Sequence, residues 1–172
     1  HILHSYYCEK NTINNIYSPS DSLIQTLKST EGISNFAPRL EFFTLLSTGE
    51  ETKGAALIGI DPVKEDQITN LSHWVKSGEY LSPGDNGILI AYNLAKSINA
   101  GIGDTVVLIS QGYHGASAAG LYPVKGILKF ASPQLNNMGA YIELEHAREF
   151  FSAYGMVSSI VIMLDDSDKT NH

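Results

Sequence analysis

The sequence predicts an α+β fold: an α/β lobe built from both chain ends, reading β-α-β-β and β-α-β, with an inserted β-rich lobe between them. Three observations predict it. Residues 1–60 alternate strand and helix signals and end in a hairpin. Residues 140–164 read strand, helix, strand. The stretch between them is dominated by short apolar runs set off by Gly, Pro, Asn and Asp.

Residues 1–7 read as a strand and the Asn-rich 9–17 as a loop. Ser18 can cap a helix, Pro19 suits its first position, and Asp21 can close a capping box. Leu23, Ile24 and Leu27 then share one helical face, and Gly32 stops the helix. After Pro38, residues 39–48 form a strand, Gly49-Glu50 a turn, and 52–60 the returning strand. Asp61 caps a short helix whose first residue is Pro62. Residues 67–79 show no clear period. Trp74, the only tryptophan, is expected in the core, with a surface anchor as the alternative.

Strands follow at 87–90, 105–110 and 121–130, with a turn at 82–87, a helix at 92–97 and a turn ending in Gly103-Asp104. In the third of these strands Gly126 interrupts Val124, Ile127 and Leu128, which points to a bulge or a close backbone approach. Residues 140–144 are a further short strand. Ala147, Phe150, Phe151 and Tyr154 recur at helical spacing over 145–154, and Gly155 ends that helix. Residues 156–164 are an apolar strand and 165–172 a polar tail.

Composition narrows the class. Hydrophobic residues make up 43% of the 172, enough for a core, and charged residues only 17%, which argues against disorder. Eleven basic against eighteen acidic residues give a formal charge of −7, which disfavours nucleic acid or an anionic membrane surface as the main partner. Cys8 is the only cysteine, so no intrachain disulfide forms, and the compartment stays open. The chain opens on His1 without a basic-then-apolar leader, and no apolar run reaches the roughly eighteen residues of a membrane helix. It reads as a soluble piece cut from a longer protein.

Chemical motifs are sparse. His1, His4, His73, His114, His146 and His172 form no ligand pattern with acidic partners, and Asp165, Asp166 and Asp168 lack the register of a calcium loop. Gly101 and Gly103 lead into Asp104 and a strand, not into a phosphate-binding helix. His114 and Ser117 lie close in sequence, but the surroundings of Ser117 are not a nucleophile elbow. No metal, cofactor or catalytic residue is expected. The segment 111–120 is rich in Gly and Ala and joins two apolar strands. Small residues let such a loop move or let a partner come close. Gln111, Tyr113, His114, Leu121 and Tyr122 are therefore candidate partner-contacting residues, the alternative being an ordinary hairpin tip.

Several segments align with a family in order and spacing: Ala37-Pro38-Arg39, Ile58-Gly59-Ile60-Asp61-Pro62, Gly78-Glu79-Tyr80-Leu81, residues 88–98 with Gly103-Asp104-Thr105-Val106, Val124-Lys125-Gly126-Ile127, and 141–147. Over almost its whole length the chain resembles the extracytoplasmic core domain of MacB-type ABC transporter permeases of the FtsX-like superfamily, above all the lipoprotein-releasing permeases. The resemblance implies an α/β lobe from 1–62 and 136–172, an inserted β-rich lobe at 63–135, and chain ends that lie together towards the membrane. It implies a non-catalytic domain on the periplasmic side of the bacterial inner membrane. The implied partners are a cytoplasmic ATPase, a second permease copy or paralogue, and a lipoprotein or hydrophobic cargo. Some lipoprotein-releasing permeases recruit a carrier through an extended hairpin. The matching stretch here, 111–122, is short, dominated by Gly and Ala, and lacks a proline-braced basic arm. Outside this family, a secreted hydrolase using the His114–Ser117 loop and a ligand-binding or adhesion module are the alternative readings.

Overall fold

Leu40, Phe42 and Leu46, with Thr44 between them, take every second position of residues 40–46 and make a strand that must bury one face. A computed structural model of the chain, which describes residues 5–7, 25–26, 33–111, 117–151 and 157–164, shows what it is buried in. Strand β2 (Ile33–Ser47) turns at Thr48–Glu51 into β3 (Thr52–Ile60), pairing from Arg39↔Ile60 to Ser47↔Thr52. Gly49, with φ of 96°, takes the left-handed position in that turn. Leu40, Phe42, Thr44 and Leu46 point inward and are buried, while Phe43 and Leu45 point outward and are exposed.

Helix α1 (Pro62–Thr69) starts as the sequence predicts: the Asp61 carboxylate accepts the Lys64 N–H at 3.1 Å, and Pro62 opens the helix. Asn70, at φ 55°, ends it in the left-handed region. A 3₁₀ turn (Leu71–Trp74) leads to β4 (Val75–Gly78), which accounts for the unclear period of this stretch. Then come β5 (Ile88–Ala91), α2 (Tyr92–Ser97), β6 (Thr105–Gln111), β7 (Ser117–Leu128), α3 (Leu135–Met138), β8 (Gly139–Glu143), α4 (Leu144–Phe151) and β9 (Ser159–Leu164). Residues 5–7 form β1, and Gln25 and Thr26 are helical.

The strands form one sheet that closes on itself. Around the ring, β2 pairs with β6, β6 with β7, β7 with β5, β5 with β8, β8 with β3, and β3 with β2 again. Two parallel pairs, β3–β8 and β5–β7, are mixed with four antiparallel ones. The ring thus hydrogen-bonds strands from 63–135 directly to strands from both flanking segments. Its interior is the main core, with Leu40, Leu57, Ile90, Leu108 and Ile142 fully buried. Burying each such side chain contributes about 1.5–3 kcal/mol.

Helices α2 and α4 follow β5 and β8 without a loop. Because those strands are antiparallel neighbours, the helices leave the ring at opposite ends. Phe151 of α4 stacks on Phe42 with centroids 3.9 Å apart, and Leu94 and Ile98 of α2 enter the same core. A second, smaller core lies outside the ring. Here Leu71, Leu81 and the half-buried Trp74 and Phe130 cover Ile58, Leu89 and Tyr141.

β2 does double duty. Its first half, from Ile33 to Arg39, pairs with β9, while its last residues, Leu45–Ser47, pair with β6 along the same edge. Hydroxyl groups bridge the gap between them. Ser158 Oγ accepts the Glu41 N–H at 2.7 Å, Ser110 Oγ donates to the Phe43 carbonyl at 2.7 Å, and Thr44 Oγ1 donates to the Ile109 carbonyl at 3.1 Å. β1 pairs antiparallel with the outer edge of β9, so Ser5 lies opposite Met163.

Several boundaries differ from expectation. β2 begins at Ile33 and runs through Pro38, where residues 39–48 were expected. The proline is tolerated because at that point the strand is paired by β9 alone; pairing with β3 starts at Arg39. β7 starts at Ser117 rather than at 121, because the hairpin with β6 stays paired out to Gln111↔Ser117. The irregularity expected at Gly126 is present. Ile88 pairs with Val124 but Leu89 with Gly126, and a Cβ on Gly126 would lie 2.6 Å from the Glu79 carbonyl oxygen. The helix expected at 18–32 falls outside the described residues apart from Gln25 and Thr26. Cys8, the tail at 165–172 and the terminal histidines also fall outside them.

Candidate interaction surface

The charged groups buried in this fold are committed to structure. Arg39 and Glu65 form a two-pronged pair, Nε to Oε1 at 3.0 Å and Nη2 to Oε2 at 2.5 Å, and the Thr69 hydroxyl donates to Oε2 at 3.0 Å. The pair ties α1 to β2. Tyr80 donates to the Pro62 carbonyl at 2.7 Å, and burial, with Asp66, Glu65 and Asp61 nearby, pushes its hydroxyl far above the usual tyrosine range. In the 82–87 turn, the Asp85 carboxylate accepts from the Gly87 and Ser82 N–H groups and pairs with Lys125. Desolvation works against its charge, but the hydrogen bonds and the Lys125 ammonium outweigh it and hold its pKa below the usual value. Among the described residues no three of His, Cys, Asp or Glu come together as metal ligands.

The outward faces of β2, β6 and β7 carry the notable surface. Pairing sets Leu45 opposite Ile109 and Val107 opposite Leu121. Side chains on one face of paired strands stand side by side. Phe43, Leu45, Ile109 and Leu121 are 67%, 39%, 43% and 70% exposed. They form one apolar stripe across three strands, an arrangement that marks interaction sites. A groove of about 530 Å³ lies beside the smaller core, lined by Trp74, Phe130, Leu135, Ile58 and Tyr141 and also by Arg39 and Glu41.

The five residues singled out from the sequence fall in different places. Leu121 is in the stripe. Tyr122, next to it, faces the ring interior, 8% exposed and edge-on to Phe150, and burial followed by the Glu149 charge raises its hydroxyl pKa. Gln111 ends β6 opposite Ser117. Tyr113 and His114 lie outside the described residues. Sequence reasoning missed Phe43, Leu45 and Ile109. The available signal was the lack of alternation in Phe42-Phe43 and Leu45-Leu46 and in residues 106–109, apolar on both faces of their strands. Trp74 is half-buried and lines the groove.

A family model for the MacB-like periplasmic core domain matches residues 5–171. The chain belongs to that family. Two curated relatives of this MacB-like domain are lipoprotein-releasing system transmembrane proteins LolC. The one from Neisseria meningitidis serogroup B is 24% identical over 168 residues, covering 93% of this chain and 40% of the relative. The one from Xylella fastidiosa is 28% identical over 145 residues, covering 79% and 34%. The chain thus spans less than half the length of the curated relatives it matches. Among solved structures, the extracellular domain of the ABC-type transporter YknZ from Gram-positive bacteria superposes with a TM-score of 0.68. It is 14% identical, and the match covers 99% of this chain and 87% of that one. The periplasmic region of MacB from Actinobacillus actinomycetemcomitans gives 0.59 at 16% identity, covering 94% and 71%. At such identities these matches establish the fold. Among the described residues of this MacB-like domain, no helix is long and apolar enough to cross a membrane.

Proposed function

We propose that this MacB-like domain is the extracytoplasmic part of an inner-membrane ABC transporter permease, and that it couples cytoplasmic ATP hydrolysis to release or extrusion of a lipoprotein or other hydrophobic cargo. The work is mechanical and the domain does no chemistry of its own. The family match over 5–171 carries the reading. Two features fit it. The described ends of the chain meet on the β1–β9 ribbon, which is continuous through β2 with the closed ring. The stripe from Phe43 to Leu121 is the face we assign to a second permease copy or a paralogue, since a pair of such domains needs a dry contact that can open and close.

Location is tested by placing a cysteine at the exposed Leu135 of the complete, natively expressed protein and adding a membrane-impermeant maleimide. Labelling from the periplasmic side is expected, and labelling only after lysis of the inner membrane rejects the placement. The stripe is tested with Ile109→Asp plus Leu121→Asp in the same protein. Loss of cargo release with normal abundance is expected, and unchanged release removes the stripe from the mechanism.

A further inference from the structure

Three lysine ammoniums converge on one tyrosine ring. Lys76 is the bulged residue of β4, Lys129 follows the last residue of β7, and Tyr92 and Lys96 are one turn apart on α2. Their Nζ atoms stand 5.6, 4.7 and 5.2 Å from the Tyr92 ring centroid for Lys76, Lys129 and Lys96. The topology places them. β4 and β5 both pair with β7, α2 leaves β5 directly, and the Lys129 N–H donates to the Trp74 carbonyl at 2.8 Å, holding the end of β7 beside the start of β4.

All three lysines are exposed. The ion pairs among the described residues join Arg39 to Glu65, Lys125 to Asp85 and Arg148 to Glu145, so none of the three has a carboxylate partner there. No two of the ammoniums are more than about 11 Å apart, close to the Debye length of about 10 Å at 0.1 M salt. At low salt, where the Debye length grows to about 30 Å, they repel one another. The Tyr92 ring offers its negative face to them but no formal charge. In a chain of eleven basic and eighteen acidic residues this is a concentrated local excess of positive charge.

We propose that Lys76, Lys96 and Lys129, set around Tyr92, form a binding site for a phosphate-bearing ligand. A phosphate group brings about −1.5 to −2 of charge and three acceptor oxygens, enough for each ammonium to donate at once. A monocarboxylate brings one charge and two oxygens. Lysines act here as point charges whose flexible stems let them close on a tetrahedral group from three elements. The net charge of −7 opposes approach to an extended anionic surface, so the site suits a single phosphate group rather than a charged sheet.

The test is an amide chemical-shift titration of the 172-residue chain with inorganic pyrophosphate at low salt, run beside flotation with phosphatidylcholine vesicles with and without phosphatidylglycerol. Saturable shifts at residues 74–77, 92–97 and 128–130 are expected. The triple variant K76Q/K96Q/K129Q should weaken binding at least tenfold, while Lys53→Gln, an exposed lysine on β3, should leave it unchanged. All four positions are exposed, and a circular dichroism spectrum checks the fold. Binding of pyrophosphate alone assigns a soluble phosphate ligand, and flotation that depends on phosphatidylglycerol and on the three lysines assigns a lipid headgroup. No saturable response in either arm, or equal weakening in the Lys53→Gln variant, overturns the site.

Discussion

Arg39 and Glu65 meet through two parallel hydrogen bonds at the junction of β2 and α1, with the glutamate fully buried and the arginine nearly so. Removing one partner strands the other charge. Glu65→Leu or Arg39→Met alone should cost about 3–5 kcal/mol. The double variant should recover much of that loss, since apolar replacement of both charges is often close to neutral. Denaturant unfolding of the three variants checks this. Additive losses in the double variant would refute the coupling.

Gly59 on β3 faces Ala147 on α4 with no room for a methyl group between them. A Cβ there would collide with the Ala147 methyl, and the Leu144 Cα stands 3.5 Å away, so α4 must move as a body. Gly59→Ala should destabilise the chain by about 1–3 kcal/mol through overpacking. Gly59→Ala combined with Ala147→Gly should restore part of it. Thermal unfolding of the single and double variants is the measurement.

Ser159 is 1% exposed, and its hydroxyl lacks a hydrogen-bond partner among the described residues. A buried hydroxyl without a partner costs about 1–3 kcal/mol. Ser159→Ala should therefore leave stability unchanged or raise it by about 1 kcal/mol. Ser158→Ala, one residue away, should lower it, because Ser158 Oγ accepts the Glu41 N–H where β2 leaves β9. Equal losses in the two variants would contradict the assignment.

Asp85 supplies the pH dependence. Its folded pKa lies below the unfolded value, so its contribution is fully present above about pH 4 and is lost as the pH falls through the folded pKa. Asp85→Asn should cost about 1 kcal/mol at pH 7, a partly exposed pair being screened by solvent. The gap between the two proteins should close as the pH falls below about 4 and through the folded pKa. A constant gap across that range would show that the carboxylate charge is not what stabilises the turn.

Local chemistry in the sequence was a good guide where a single residue dictates the backbone. The Gly49 turn, the Asp61-Pro62 start of α1, helix 92–97 and the Gly103-Asp104 turn are all present, the last with Asp104 Oδ2 accepting the Gly101 N–H at 2.8 Å. The sequence was silent on pairings between distant strands. Closure of the ring rests on Leu45↔Ile109 and Leu89↔Tyr141, each joining strands dozens of residues apart with no local signature. Pro38 misled because its effect depends on whether a neighbour strand needs its N–H, which only the sheet order decides. The stripe was hidden for a similar reason: an apolar run reads as doubly buried until the outer layer is known to stop short of it.

The sharing of β2 between ring and ribbon has a consequence for how the domain would respond to an applied load. A pull that draws the ring away from both chain ends would run along β9 and β2, loading the pairing of residues 35–39 with β9 in shear, all at once. A pull that spreads the ends apart instead peels β1 from β9 one residue at a time, beginning at Ser5 and Met163. The sheet order thus favours resistance to traction along β2 and β9 over resistance to prying at the β1 edge.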